Sequence, residues 1–152
     1  MKFTPAGINI FTFFNLPSAW WCGVRIVKLT PVICEAKVRL KWINQNPFKS
    51  MFWAIQGMAA ELSTGVLIMQ AAKVSQSKVS MLVINNKANF TKKAKGKLIF
   101  SCTAGDKIEK TFKKLHHTKE PQTIWLQARG VDEQGDIVST FDFEWTILLK
   151  TR

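Results

Sequence analysis

The sequence predicts an α+β domain in which a curved antiparallel sheet wraps around one long apolar helix. Three observations lead there. Residues 52–72, FWAIQGMAAELSTGVLIMQAA, contain no Pro, Lys or Arg, and their only charge is Glu61. A helix that is apolar nearly all round is either buried on all sides or spans a membrane. Several flanking segments alternate apolar and polar residues with the period of two that marks half-buried strands. A single such helix among strands needs a curved sheet to cover it. The span reading is set aside because Gln56, Glu61, Ser63 and Thr64 are costly in lipid and the rest of the chain is strand-rich.

The chain of 152 residues is read as one domain, 1–152, with a sizeable core. Its hydrophobic fraction of 47% excludes a disordered chain. The net charge of +12 points to an anionic partner: nucleic acid, a phosphate-bearing ligand or a membrane surface. Solubility alone is the plainer explanation. Cys22, Cys34 and Cys102 are odd in number and form no CxxC pair. They suit a reducing compartment and buried free thiols better than a disulfide framework or a zinc site. A cytoplasmic location without metal or cofactor is therefore expected. The early apolar patch 8–14 is interrupted at Asn9 and followed by Asn15 and Pro17, and does not read as a cleavable leader.

In chain order, residues 8–16 form a short helix or turn that ends before Pro17. Phe11, Phe14 and Trp20 or Trp21 would cover one edge of the core. Residues 23–29 read as a strand broken by Pro31, and 32–42 as the clearest strand, with Val38, Leu40 and Trp42 alternating with Lys37, Arg39 and Lys41. Asn44, Asn46 and Pro47 make a polar turn, and Ser50 is the expected N-cap of the central helix. After a polar break at 73–78 come a short buried strand at 79–84, a basic connection at 90–97 bending at Gly96, and a strand at 98–103. Residues 106–117 are a surface helix. Asp106 and Glu109 have capping-box spacing, and Ile108, Phe112 and Leu115 form its apolar stripe. Two long strands, 123–131 and 136–150, are joined by a turn at 132–135. In the second, Ile137, Ser139, Phe141, Phe143, Trp145 and Ile147 share a face.

Four stretches carry a resemblance: FNLPSAWWCGVRI, VRLKWINQNPFKSMF, MAAELSTG and ARGVDEQGDIVSTFDFEW. Together they resemble the hotdog-fold acyl-CoA thioesterase superfamily. More narrowly, they resemble an uncharacterised bacterial branch, a domain of unknown function, related to the phenylacetate-pathway and 4-hydroxybenzoyl-CoA thioesterases. The resemblance implies a hydrolase acting on an acyl-CoA or acyl-carrier thioester. It implies Glu61 as general base or nucleophile, Asn46 as an orienting group, and backbone N–H groups at Phe52 or Trp53 as oxyanion donors. It also implies a homodimer or a dimer of dimers. Related thioesterases carry His-Gly-Gly where this chain has Phe52, Trp53 and Ala54.

Physical chemistry suits those roles. A helix N-terminus presents unpaired N–H groups and a positive dipole end. A partly desolvated carboxylate has a raised pKa, which fits a base working near neutral pH. Ser63 and Thr64 either support Glu61 across one turn or bond back to the helix backbone. Lys92, Lys93, Lys95 and Lys97, with Arg129 as a weaker candidate, either hold coenzyme A phosphates or form a solvated basic surface. His116 and His117 do not share a helix face and read as surface residues. A non-catalytic acyl- or lipid-binding protein of the same fold is the alternative function, prompted by the bulk of Phe52 and Trp53. Nucleic-acid binding is a remote third, since no recognition motif accompanies the charge.

Overall fold

The computed structural model describes residues 2–150. A helix α1 (Pro5–Asn15) opens the chain. Its N-cap Thr4 accepts the Gly7 N–H at 3.1 Å, and Pro5 stands where no intrahelical donor is needed. Pro17 ends α1 and begins a second short helix, α2 (Pro17–Trp21). Then follow strands β1 (Arg25–Leu29) and β2 (Cys34–Arg39), a 3-10 turn at Trp42–Asn44, and the central helix α3 (Trp53–Val74). Strands β3 (Val79–Phe90) and β4 (Lys97–Cys102), helix α4 (Gly105–Thr118), and strands β5 (Gln122–Val131) and β6 (Ile137–Leu149) complete it.

The six strands form one antiparallel sheet in the order β1-β2-β4-β5-β6-β3. It curves around α3, as expected. Inward residues of β2, β4, β5 and β6 meet the helix: Val38, Leu98, Phe100, Leu126, Phe141 and Ile147 are all buried, with Leu67 and Ile68 of α3. Each such side chain contributes about 1.5–3 kcal/mol on burial. Gly96 bends the chain into β4 with φ +65°, and Gly135 closes the β5–β6 hairpin with φ +84°.

Several expectations are corrected. Strand β2 stops at Arg39, and Trp42 lies exposed beyond it; the buried set is Cys34, Ala36 and Val38. Asn44 is the cause. Its Oδ1 accepts the Lys41 N–H at 2.8 Å and its Nδ2 donates to the carbonyls of Arg39 and Cys22. Those bonds replace ladder bonds with a turn. Ser50 does not cap α3. Phe52 is the cap residue, without a side-chain bond, and Ser50 is held by Asn46 instead.

Strand β3 is twice as long as its apolar run, because Asn85, Asn86, Lys87 and Asn89 continue to pair with β6. As an edge strand it needs no apolar outer residues, so its polar half reads like a break. Helix α4 has no capping box: Ala104 precedes it, and Glu109 bonds Lys113 at 2.6 Å. Phe14 and Trp21 are exposed, and the residues that α1 and α2 bury are Ile8, Thr12 and Ala19.

Helix α3 is not buried all round. Glu61 is exposed on a stripe with the half-buried Met58 and Leu62. Among the described residues, no helix is long and apolar enough to cross a membrane.

Candidate active site

Helices α1 and α2 stand off from the middle of α3, and a cavity of about 500 Å³ opens between them. Its wall is apolar: Phe11 and Leu16 from the first two helices, Met58 and Leu62 from α3, Met81 from β3 and Trp145 from β6. Glu61 is the one charged residue lining it. Solvent reaches its carboxylate from the open side, and the apolar neighbours remove enough hydration to raise its pKa above the ordinary glutamate value. Among the described residues no Lys or Arg pairs with it.

The wall is shaped by small residues. Gly65 lies one turn beyond Glu61, and a Cβ there would stand 3.3 Å from the Trp145 ring. The missing side chain lets the indole close against α3, and its Nε1–H donates to Thr64 Oγ1 at 3.0 Å. The Thr64 hydroxyl donates in turn to the Glu61 backbone carbonyl at 2.8 Å, and the Ser63 hydroxyl donates to the Ala60 carbonyl at 2.7 Å. Neither hydroxyl supports the Glu61 carboxylate. Both close back on the helix, and Thr64 anchors the cavity wall.

A second pocket, about 430 Å³, lies at the N-terminus of α3 and includes Asn46, Ser50, Phe52, Trp53, Gln56 and Lys93. Here Asn46 organises its own loop. Its Oδ1 accepts the N–H groups of Phe48 at 2.9 Å and Ser50 at 3.3 Å, and its Nδ2 donates to Ser50 Oγ at 3.0 Å. The Phe52 N–H is spent on the Asn44 carbonyl at 2.9 Å. The N–H groups of Trp53 and Ala54 have no acceptor among the described residues, so the donor pair shifts one residue along from the expected position. Trp53 and Glu61 are about two turns apart on one helix, roughly 12 Å. One chain therefore does not bring the Asn46 and Trp53 groups together with the Glu61 carboxylate.

The five cations expected to hold phosphate are dispersed. Lys92 bonds Asp132 at 2.5 Å and Asp136 at 2.8 Å, closing the β5–β6 hairpin. Lys93 lines the second pocket and Lys95 is exposed on the same loop. Lys97 and Arg129 occupy outward positions of β4 and β5, on the sheet face away from α3. They do not form one anion site with Lys93.

Two contributors were not singled out in the sequence. Gln56 is buried beside the donor pair, accepts the Ser139 hydroxyl at 2.7 Å, and ties β6 to the start of α3. An amide in an otherwise apolar first turn is the signal that marks it. Trp145 was seen only as core. Cys34 and Cys102 face each other across β2 and β4, and burial pushes the Cys34 thiol up to about 12. They belong to the core, as expected.

The model of the family described as "Domain of unknown function (DUF4442)" matches residues 8–147. Among curated proteins none matches this chain. Solved structures share the fold at low identity. A Pseudomonas aeruginosa protein of unknown function, described as "Probable Thioesterase", is 17% identical with a TM-score of 0.81, over 97% of each chain. A thioesterase from Haemophilus influenzae is 13% identical with a TM-score of 0.74, over 98% of this chain and 93% of that one. The E. coli PaaI protein from the phenylacetic acid degradation operon is 11% identical with a TM-score of 0.65, over 93% and 96%. The architecture is the hotdog fold.

Proposed function

The chain belongs to the family described as "Domain of unknown function (DUF4442)", and from this premise we propose that it hydrolyses an acyl thioester carried by coenzyme A or an acyl carrier. The observation that carries the reading is Glu61, a carboxylate of raised pKa in an apolar cavity sized for an acyl chain. As general base, Glu61 takes a proton from water as the water oxygen attacks the thioester carbonyl. The oxyanion is held by the Trp53 and Ala54 N–H groups, aided by the positive end of α3. Collapse breaks the C–S bond, and the proton passes to the departing thiolate. As nucleophile, the same carboxylate would form an anhydride that water then opens.

The roughly 12 Å between donors and base argues that two chains complete one site. Strand β3 pairs on one side only, with β6, and offers a 12-residue free edge. Two copies joined through β3 about a two-fold axis would continue the sheet and set their central helices antiparallel. The donor end of one helix would then face Glu61 of the other.

The experiment is hydrolysis of short-, medium- and long-chain acyl-CoAs and aryl-CoAs by the wild type and by Glu61→Gln. Loss of a general base lowers turnover by about a hundredfold or more. Unchanged turnover in the variant would remove Glu61 from the chemistry. A second reading, acyl binding without turnover, is favoured by the aromatic pair Phe52 and Trp53 flanking the donor end, their rings 6.0 Å apart. An acyl species that co-purifies with an inactive wild-type protein would select it.

A further inference from the structure

Five exposed side chains line neither the Glu61 cavity nor the pocket at the start of α3: Phe14, Trp21, Trp42, Ile43 and Phe48, with exposures of 74%, 65%, 84%, 52% and 73%. Single exposed apolar residues are ordinary, but a joined set marks a contact surface. These are joined. Phe14 meets Phe13 edge-on at 4.8 Å, Phe13 meets Trp20 at 4.8 Å, and Trp20 meets Trp21 at 5.7 Å. The next residue, Cys22, accepts the Asn44 side chain at 3.0 Å, and Asn44 closes the turn that carries Trp42 and Ile43. The Asn44 carbonyl then accepts the Phe52 N–H, and Phe48 is held between them on the Asn46 loop.

The same end of the molecule carries an excess of lysine, because the carboxylates that reach it from the β5–β6 turn, Asp132, Glu133 and Asp136, are bonded to Lys92 and Arg39. The first 60 residues hold one acidic residue, Glu35, which faces Lys28 at 3.8 Å. Lys41 and Lys49 flank the aromatic turn and loop. Lys93 and Lys95 come alongside because the Ala94 carbonyl accepts the Met51 N–H at 2.8 Å. Among the described residues none of these four lysines forms an ion pair.

We propose that this face docks on a lipid bilayer bearing anionic headgroups. Indole and phenyl rings favour the boundary between water and acyl chains, and lysines beside them are drawn to anionic lipid. The two signals together give reversible interfacial binding that neither gives alone. The five side chains stand on three separate supports (a helix end, a 3-10 turn and a loop) and line no groove. A bilayer needs no shape match to receive them. A second copy seated on this face would bring two sets of four lysines into one interface, which like charge opposes. Docking stands apart from the hydrolase reading. On that reading, it brings the cavity, walled on one side by α1 and α2, to the surface where long acyl chains partition.

The test is co-sedimentation of the full chain with phosphatidylcholine vesicles containing phosphatidylglycerol, and with phosphatidylcholine alone. Binding to the anionic vesicles is expected, falling as salt rises. It should weaken by about tenfold or more in Trp42→Ser with Phe48→Ser, and in Lys41→Glu with Lys49→Glu. All four side chains point into solvent or lie on the surface, and the two double variants test the face independently. No binding to anionic vesicles, or binding unchanged in both variants, would overturn the proposal. A drop in solution mass on Trp42→Ser with Phe48→Ser, without vesicle binding by the wild type, would make the face a protein contact. A salt-sensitive shift with duplex DNA but none with vesicles would make it a nucleic-acid surface. Either outcome overturns docking on lipid.

Discussion

Glu61 was legible as the single charge in an apolar run, but its setting was not. Composition alone suggests full burial, and the structure instead sets the carboxylate between solvent and an apolar wall. The stripe beside Glu61 on α3 is apolar yet not covered by the sheet, an arrangement that apolar composition alone does not reveal. The raised pKa has a stability consequence whose sign is fixed. A carboxyl whose folded pKa exceeds its unfolded value stabilises the fold below the unfolded pKa, about 4.3, and that stabilisation is lost as pH rises through the folded pKa. Glu61→Gln should therefore raise the melting temperature at pH 8 and leave it nearly unchanged at pH 4, read by thermal unfolding at both. In the wild type, the rising limb of kcat/KM against pH should lie above the ordinary glutamate range. Asn46 was legible as a turn residue and as a site candidate by resemblance. Its three local bonds make the first role visible in the structure.

Among the elements, those with strong period were placed well and those at the margin were not. Strands β4, β5 and β6 and helix α4 carry clear apolar patterns, because they are half-buried against α3. The polar half of β3 does not read as strand because an edge strand exposes both faces, and the end of β2 is misplaced because one asparagine accepts the Lys41 N–H and donates to the Arg39 carbonyl. Gly130 gives a sharp element-scale test. It is the second-to-last residue of β5, where a Cβ would lie 2.4 Å from the Phe100 ring, itself fully buried between sheet and helix. Gly130→Ala should cost about 1–3 kcal/mol through forced displacement of that ring. Denaturant unfolding measures it, and a cost within error of zero would mean that β4 and β5 separate more easily than their packing implies.

At the scale of the whole molecule, the reading of a curved sheet wrapped around one long helix carried through, while the proposed pairing of two chains rests on separations that only coordinates supply. If two chains build one site, a mixture of Glu61→Gln and Asn46→Ala proteins, co-refolded, should regain turnover that neither has alone, because a mixed pair contains one intact site. Steady-state hydrolysis reads this, and failure to regain it would return all the chemistry to a single chain. The distribution of tryptophan has an optical consequence. The chain has six Trp and no Tyr, so its near-ultraviolet emission is that of indole alone. Trp21, Trp42 and Trp53 are exposed and emit as hydrated indoles, whereas Trp145 is buried against the cavity with its N–H bonded to Thr64. With Trp20 and Trp125 half-buried between these extremes, the molecule contains a red-shifted exposed set and one buried, blue-shifted reporter on the cavity wall. A collisional quencher such as iodide strips away the exposed set and shifts the remaining emission toward Trp145, whose share registers what enters the cavity.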